Sequence, residues 1–313
     1  MTTSGTNTFS QNRNEIINRA LSILGVKTRG RSLTSEEVND ASDALNLFVK
    51  GLKANGDYLW KYAEGTLFLT VGQAKYTLDG TTAHATESFS ETTTSAAAIS
   101  GATTIVVTSA TGFVVGYNIG IVQDDNTIKW TTISTIASTT ITLAAALTGA
   151  VASGNTVFVY QTKINRPEVI SSCRRRDASS NDVMLSDLAR SDYFNLSNKT
   201  TQGKPTQFYY DKQLTFGDLY LYNTPDLVTD TIKFTFQKMF FDFTLGTETA
   251  DFPIEWIETL AFGLADRLTY DYGTEVTKAE RIKRTADEML LNLRGYDRED
   301  SVYFVPTIGL YSR

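Results

Sequence analysis

Apolar residues recur at helical spacing near both ends of the chain and at alternate positions through its middle. At the N-terminal end Ile16, Ile17, Ala20, Leu21 and Leu24 fall on one helix face. Asn12 followed by Glu15 has capping-box spacing, and Gly25 supplies a stop. Thr34 with Glu37 repeats the box ahead of a second helix through Val38, Ala41, Leu45, Phe48 and Leu52, closed by Asn55-Gly56. At the other end, Asp251 to Arg294 predicts a helical hairpin. Pro253 fits its first turn, and Ile257, Leu260, Ala261, Leu264 and Leu268 form its first face. Gly273 breaks the run. The second helix carries Ala279, Ile282, Ala286, Met289, Leu290 and Leu293, with Gly295 as a left-handed stop. Amphipathic helices need a partner layer for their stripes, so the four are expected to form one helical core from both ends of the chain.

Between the helices the period changes to two. Leu67, Leu69 and Val71 alternate with Phe68 and Thr70, and Tyr76-Thr77-Leu78 follows Gly72-Gln73-Ala74, which predicts a β-hairpin. From Thr82 to Tyr160 the chain turns Thr-, Ser-, Ala-, Val- and Ile-rich with few charges. Short strands are expected at 105–107, 117–122, 127–133, 140–143 and 157–160, with turns at Gly112, Gly116, Asp124-Asp125-Asn126 and Gly154. That spacing predicts a small all-β sandwich or barrel, inserted as residues 82–160 into a parent of residues 1–81 and 161–313. Beyond it, strands are expected at 169–176, 208–210, 214–216, 219–222 and 231–241, and a short helix within 186–198. Ile232, Phe234 and Phe236 alternate with Lys233, Thr235 and Gln237, predicting one buried and one wet face. The fold class is therefore α+β. The end, residues 296–313, reads as an extended tail with an apolar, aromatic set: Tyr303, Phe304, Val305, Ile308, Leu310 and Tyr311.

Composition adds mostly exclusions. The 313 residues carry a formal net charge of −6, which does not mark a nucleic-acid binder. Cys173 is the single cysteine, so no intrachain disulfide forms. No apolar run reaches the about 18 residues that a membrane helix needs, and the polar N-terminus does not read as a secretory signal. The default expectation is a soluble protein made in the cytosol.

Candidate chemistry is sparse. His84, the single histidine, sits in a Thr-rich loop and reads as a surface residue. Cys173 reads as a quiet, partly buried thiol. Asp124-Asp125-Asn126 suits a hairpin tip and less well a Ca²⁺ site. No phosphate-binding glycine loop is present, and the sequence nominates no carboxylate pair for glycoside hydrolysis. No catalytic residue, cofactor or metal is expected. Arg174, Arg175 and Arg176 are the sharpest charge feature, with contact to phosphate or an acidic partner on one reading and a solvated strand edge on the other.

Several stretches taken in order resemble one family: residues 20–25 (ALSILG), 45–50 (LNLFVK), Leu59-Trp60-Lys61, Thr66-Leu67-Phe68-Leu69 and Tyr76-Thr77-Leu78, then Asn165-Arg166-Pro167, Ser191-Asp192-Tyr193, Gly203-Lys204-Pro205, Phe208-Tyr209-Tyr210-Asp211 and Asp251-Phe252-Pro253-Ile254-Glu255-Trp256. The set resembles the head-to-tail adaptors, or connectors, of short-tailed bacteriophages, which include packaged-DNA-stabilising proteins and are similar in plan to tail tubular protein A. The likeness spans residues 12–78 and 165–272 and leaves out the insert. It implies a non-enzymatic virion protein forming a ring of about twelve copies. Such a ring binds the portal protein above and tail nozzle or fibre proteins below, and lets duplex DNA pass without tight binding; no membrane is implied. The tail residues from Tyr303 to Tyr311 would then contact the portal or a neighbouring subunit. The alternatives are a virion-associated peptidoglycan hydrolase and a surface-sugar-binding module.

Overall fold

The computed structural model describes residues 9–28, 30–53 and 58–296. The protein is mixed α+β with several sheets. It divides into two compact units, Met1–Trp60 with Phe240–Arg313 and Lys61–Met239. The division falls at 60/61 and 239/240, and the expected insert of residues 82–160 lies within the second unit.

In the first unit α1 (Arg13–Leu24) and α2 (Ser35–Lys53) both open on reciprocal capping boxes. The Asn12 side chain accepts from the Glu15 amide at 2.9 Å while the Glu15 carboxylate accepts from the Asn12 amide at 2.8 Å. Thr34 and Glu37 do the same for α2. Such caps contribute about 1 kcal/mol each, less than one fully buried leucine at about 1.5–3 kcal/mol, so packing decides the arrangement. In chain order α3 (Arg190–Asn195) belongs to the second unit, and the first unit continues with α4 (Trp256–Leu268) and α5 (Val276–Tyr296). α4 is buried on most sides and packs against α1, α2 and α5. One apolar cluster includes Ile17, Leu21, Leu45, Val49, Leu260, Leu264, Leu268 and Ile282. α2 meets α4 where Phe48 lies over Gly263; a Cβ there would stand 2.1 Å from the ring. Pro253 precedes rather than enters α4, its carbonyl accepting from the Trp256 amide at 3.0 Å. Gly273, at φ 55°, separates the two helices, but Gly295 does not stop α5, which runs on to Tyr296.

The second unit holds three sheets. Its strands are β1 (Tyr62–Phe68), β2 (Lys75–Leu78), β3 (Ala85–Thr86), β4 (Ser90–Thr93), β5 (Thr104–Val106), β6 (Asn118–Val122), β7 (Ile128–Ala137), β8 (Thr140–Leu143) and β9 (Thr156–Tyr160). They continue with β10 (Val169–Arg176), β11 (Asp182–Met184), β12 (Ser186–Asp187), β13 (Gln207–Lys212), β14 (Gly217–Tyr222) and β15 (Thr231–Gln237). A five-stranded sheet has the order β11-β10-β15-β1-β3, and a four-stranded sheet the order β12-β13-β14-β2. The expected hairpin of residues 67–71 with 76–78 does not form: β1 pairs with β15 and β3, while β2 pairs with β14 in the other sheet. Leu67 and Phe68 are both buried, in different clusters, so the alternation did not mark a one-sided strand. Residues 214–216 form the turn between β13 and β14, closed by the Gln213 amide on the Phe216 carbonyl at 2.9 Å, and are not a strand.

The third sheet has the order β4-β9-β6-β7-β8-β5. Its ends meet at the Thr94–Val107 bridge, where the Ser95 amide donates to Val106 and the Thr108 amide to Thr93, each at 2.8 Å. The sheet is thus a closed barrel, filled by Ile105, Ile119, Ile121, Ile133, Ile141, Leu143, Val157 and Val159. Closure removes the exposed edges that such short strands would otherwise present. β3, although it lies beyond Thr82, pairs with β1 and belongs to the five-stranded sheet.

Candidate functional site

The arginine run lies on β10, an interior strand of the five-stranded sheet rather than a sheet edge. Strand alternation sends Arg174 and Arg176 to one face and Arg175 to the other. Arg176 grips Asp182 of β11 through two bonds, 2.7 and 2.8 Å. Arg174 donates to the same carboxylate at 2.9 Å and also pairs with Glu64 of β1. The Arg176 bonds lead in pulling the Asp182 pKa down to about 2. Lys233 stands opposite Arg174 on the same face. It is 8% exposed, its ammonium 2.7 Å from the Thr66 hydroxyl and 5.0 Å from the Phe89 ring centre. The face expected to be wet is therefore covered at Lys233 and Gln237, both buried. Burial lowers the Lys233 pKa, with Glu64 opposing. Arg175 points the other way, 3.6 Å from Asp230. Burial raises the Asp230 pKa despite that arginine. All three arginines thus face carboxylates of the same chain. An incoming phosphate would have to displace Asp182 or Glu64.

A second constellation escaped the sequence. Asp211 of β13 and Asp218 of β14 stand directly opposite one another across the strand pair, both buried. Like charges so placed repel, and each is offset by a cation. Lys75 reaches one Asp218 oxygen at 2.7 Å and the Thr77 hydroxyl donates to the other at 2.7 Å. Arg190, at the start of α3, donates to Asp211 at 3.0 Å. Tyr193, Tyr209 and Tyr220 stack beside them, and Arg190 lies over the exposed Phe194 ring. The signal was present: the two aspartates are equidistant from the 213–216 turn, but reading 214–216 as a strand lost the register.

The remaining candidates are structural. Cys173 is fully buried beside Phe234, and burial pushes its thiol pKa up. Asp124-Asp125-Asn126 forms the β6–β7 tip. Asn126 has φ 60°, Asp125 accepts from Thr127, and Asp124 accepts from Ala152 and Asn155. Among the described residues no group of three or more His, Cys, Asp or Glu side chains is arranged to hold a metal ion. His84 is half-buried. Its ring lies flat on Trp130 and contacts Tyr160, because β3 carries it against the barrel wall. The tail set Tyr303, Phe304, Val305, Ile308, Leu310 and Tyr311 lies outside the described residues.

No family model matches the chain, and no curated protein matches it. Among the described residues no helix is long and apolar enough to cross a membrane.

Proposed function

We propose that this chain is a structural subunit of a phage head-to-tail junction, a ring-forming adaptor between the portal and the tail. In this reading the helices and the two open sheets are the adaptor core, the barrel is an inserted module, and DNA passes through the ring without being held. The observation that carries the proposal is how the stretches of the resemblance pack. Several of them meet one another, or segments outside the resemblance, as scaffold contacts rather than around a reactive centre.

Trp60, from the Leu59-Trp60-Lys61 stretch, packs against Phe252 at 5.2 Å and Trp256 at 6.5 Å, both from the Asp251–Trp256 stretch. In the 45–50 stretch, Asn46 exchanges two hydrogen bonds with the Phe243 backbone and Lys50 pairs with Asp242 at 2.5 Å. Tyr193 stacks on Tyr209 at 5.9 Å, joining two further stretches. The Tyr210 hydroxyl donates to Pro167 at 2.7 Å, joining another two. Such contacts specify a fold, and an adaptor needs a rigid body more than a pocket. Sedimentation of the purified protein with and without portal rings tests the reading: co-sedimentation at fixed stoichiometry supports it, and a chain that ignores the portal refutes it.

One observation favours a second reading, a virion-borne peptidoglycan hydrolase: the Asp211–Asp218 pair. Against it, both oxygens of Asp218 are already engaged, by Lys75 and Thr77.

A further inference from the structure

The barrel and the open sheets of the second unit meet along one aromatic seam. Phe68 of β1 lies 4.7 Å from Phe158, 5.1 Å from Trp130 and 5.3 Å from Phe89, ring centre to ring centre. Val122 and Tyr160 on the barrel side and Val228 opposite complete the cluster. His84 contributes to both sides. Its backbone carbonyl accepts from the Phe68 amide at 2.9 Å. Its ring stacks on Trp130 of β7 at 4.0 Å with planes 7° apart, and Nδ1 lies 2.5 Å from the Tyr160 hydroxyl on β9.

The chain enters and leaves the barrel close by. At the entry, the Asp79 carboxylate accepts from the Thr81 and Thr82 amides and the Thr82 hydroxyl. At the exit, the Lys163 ammonium donates to the Thr81 carbonyl at 2.6 Å, tying the two tethers together.

Burial of the ring against Trp130 disfavours the charged imidazole. Burial pushes the Tyr160 pKa up, so the phenol keeps its proton, and it shares one hydrogen bond with Nδ1. The charged groups nearby are Lys163 at the exit and Asp79 at the entry; Trp130 and Phe68 carry no charge, and Glu87 on the same segment is paired with Lys238. Burial first and Lys163 second lower the His84 pKa to about 3.

We propose that the seam is an acid-released clasp: protonation of His84 frees the barrel from the open sheets about its two tethers while both sides stay folded. Once the seam opens, the imidazole regains its ordinary pKa of about 6.5. Between pH 6 and pH 4 the opening equilibrium therefore rises about tenfold per pH unit. At neutral pH the seam is closed.

The single histidine makes the test direct, on the full-length protein. NMR titration of its imidazole gives the protonation state. Hydrogen–deuterium exchange, corrected for intrinsic rates, follows the Val228 amide, which donates across the seam to Asn126 at 3.3 Å, against the barrel-interior amides of Ile119 and Ile121. The expected result is an imidazole still neutral at pH 5.5, seam protection falling about tenfold per pH unit below pH 6, interior amides that stay better protected than the seam throughout, and no such slope in His84→Phe. If His84→Phe does not fold, His84→Gln serves the same purpose. An imidazole titrating near pH 6.5 in the folded protein overturns the proposal. So does a slope that survives the substitution, or interior amides that exchange as fast as the seam amide.

Discussion

The indole of Trp130 is held between two surfaces: His84 stacks on it at 4.0 Å, and Gly120 lies beneath it. A Cβ at Gly120 would stand 2.4 to 2.7 Å from three ring atoms. Gly120→Ala should therefore push the indole off its seat and cost about 1–3 kcal/mol, the range for overpacking. Chemical denaturation checks the size, and loss of seam protection in hydrogen exchange checks the mechanism. An unchanged midpoint would show that the ring has room to move.

The same histidine sets a pH dependence of stability. Its pKa is lower in the folded protein, about 3, than in an unfolded chain, about 6.5. The unfolded state takes up the proton first. The contribution is full above about pH 6.5 and is lost as pH falls toward 3. Thermal melts at pH 7 and pH 5 should show a drop in wild type that is smaller in His84→Phe. Equal drops would assign the effect to other groups.

The arginine run tests the charge argument. Asp182 occupies two of the three arginines. Wild type should bind duplex DNA weakly and with strong salt dependence, and Asp182→Ala should bind it more tightly. Submicromolar binding by wild type at physiological salt would contradict the picture of a channel that lets DNA slide.

Asp218→Ala removes the acceptor of the Thr77 hydroxyl, while the half-exposed Lys75 ammonium turns to solvent. It should destabilise by about 1–3 kcal/mol in denaturant titration, and wild type should release no product from peptidoglycan. Lysis that depends on Asp211 or Asp218 would move the account to the hydrolase.

The elements were more legible than their pairing. Both capping boxes form because Asn12 with Glu15 and Thr34 with Glu37 are local signals that need no tertiary context. The barrel strands were legible for a similar reason, since turn residues such as Asn126 and Gly154 punctuate them. What failed was long-range. Alternation around Leu67 cannot show that β1 answers β15, more than 160 positions away, rather than β2 next to it. Lys233 reads as exposed until Phe89 is placed over it. His84 is a loop residue until β3 pairs with β1. The Asp211–Asp218 pair depends on a turn register that the sequence leaves ambiguous.

Residues 296–313 carry the portal-contact expectation. Their removal should leave the melting temperature nearly unchanged while abolishing attachment to portal rings. Attachment at normal stoichiometry by the truncated chain would assign the contact elsewhere.

The central claim is a ring at the portal, and negatively stained electron micrographs of the purified protein, alone and mixed with portal rings, test it most directly. The account predicts a second ring of this chain stacked coaxially on one face of the portal, with an open central channel. Portal rings that remain bare at saturating protein would contradict it.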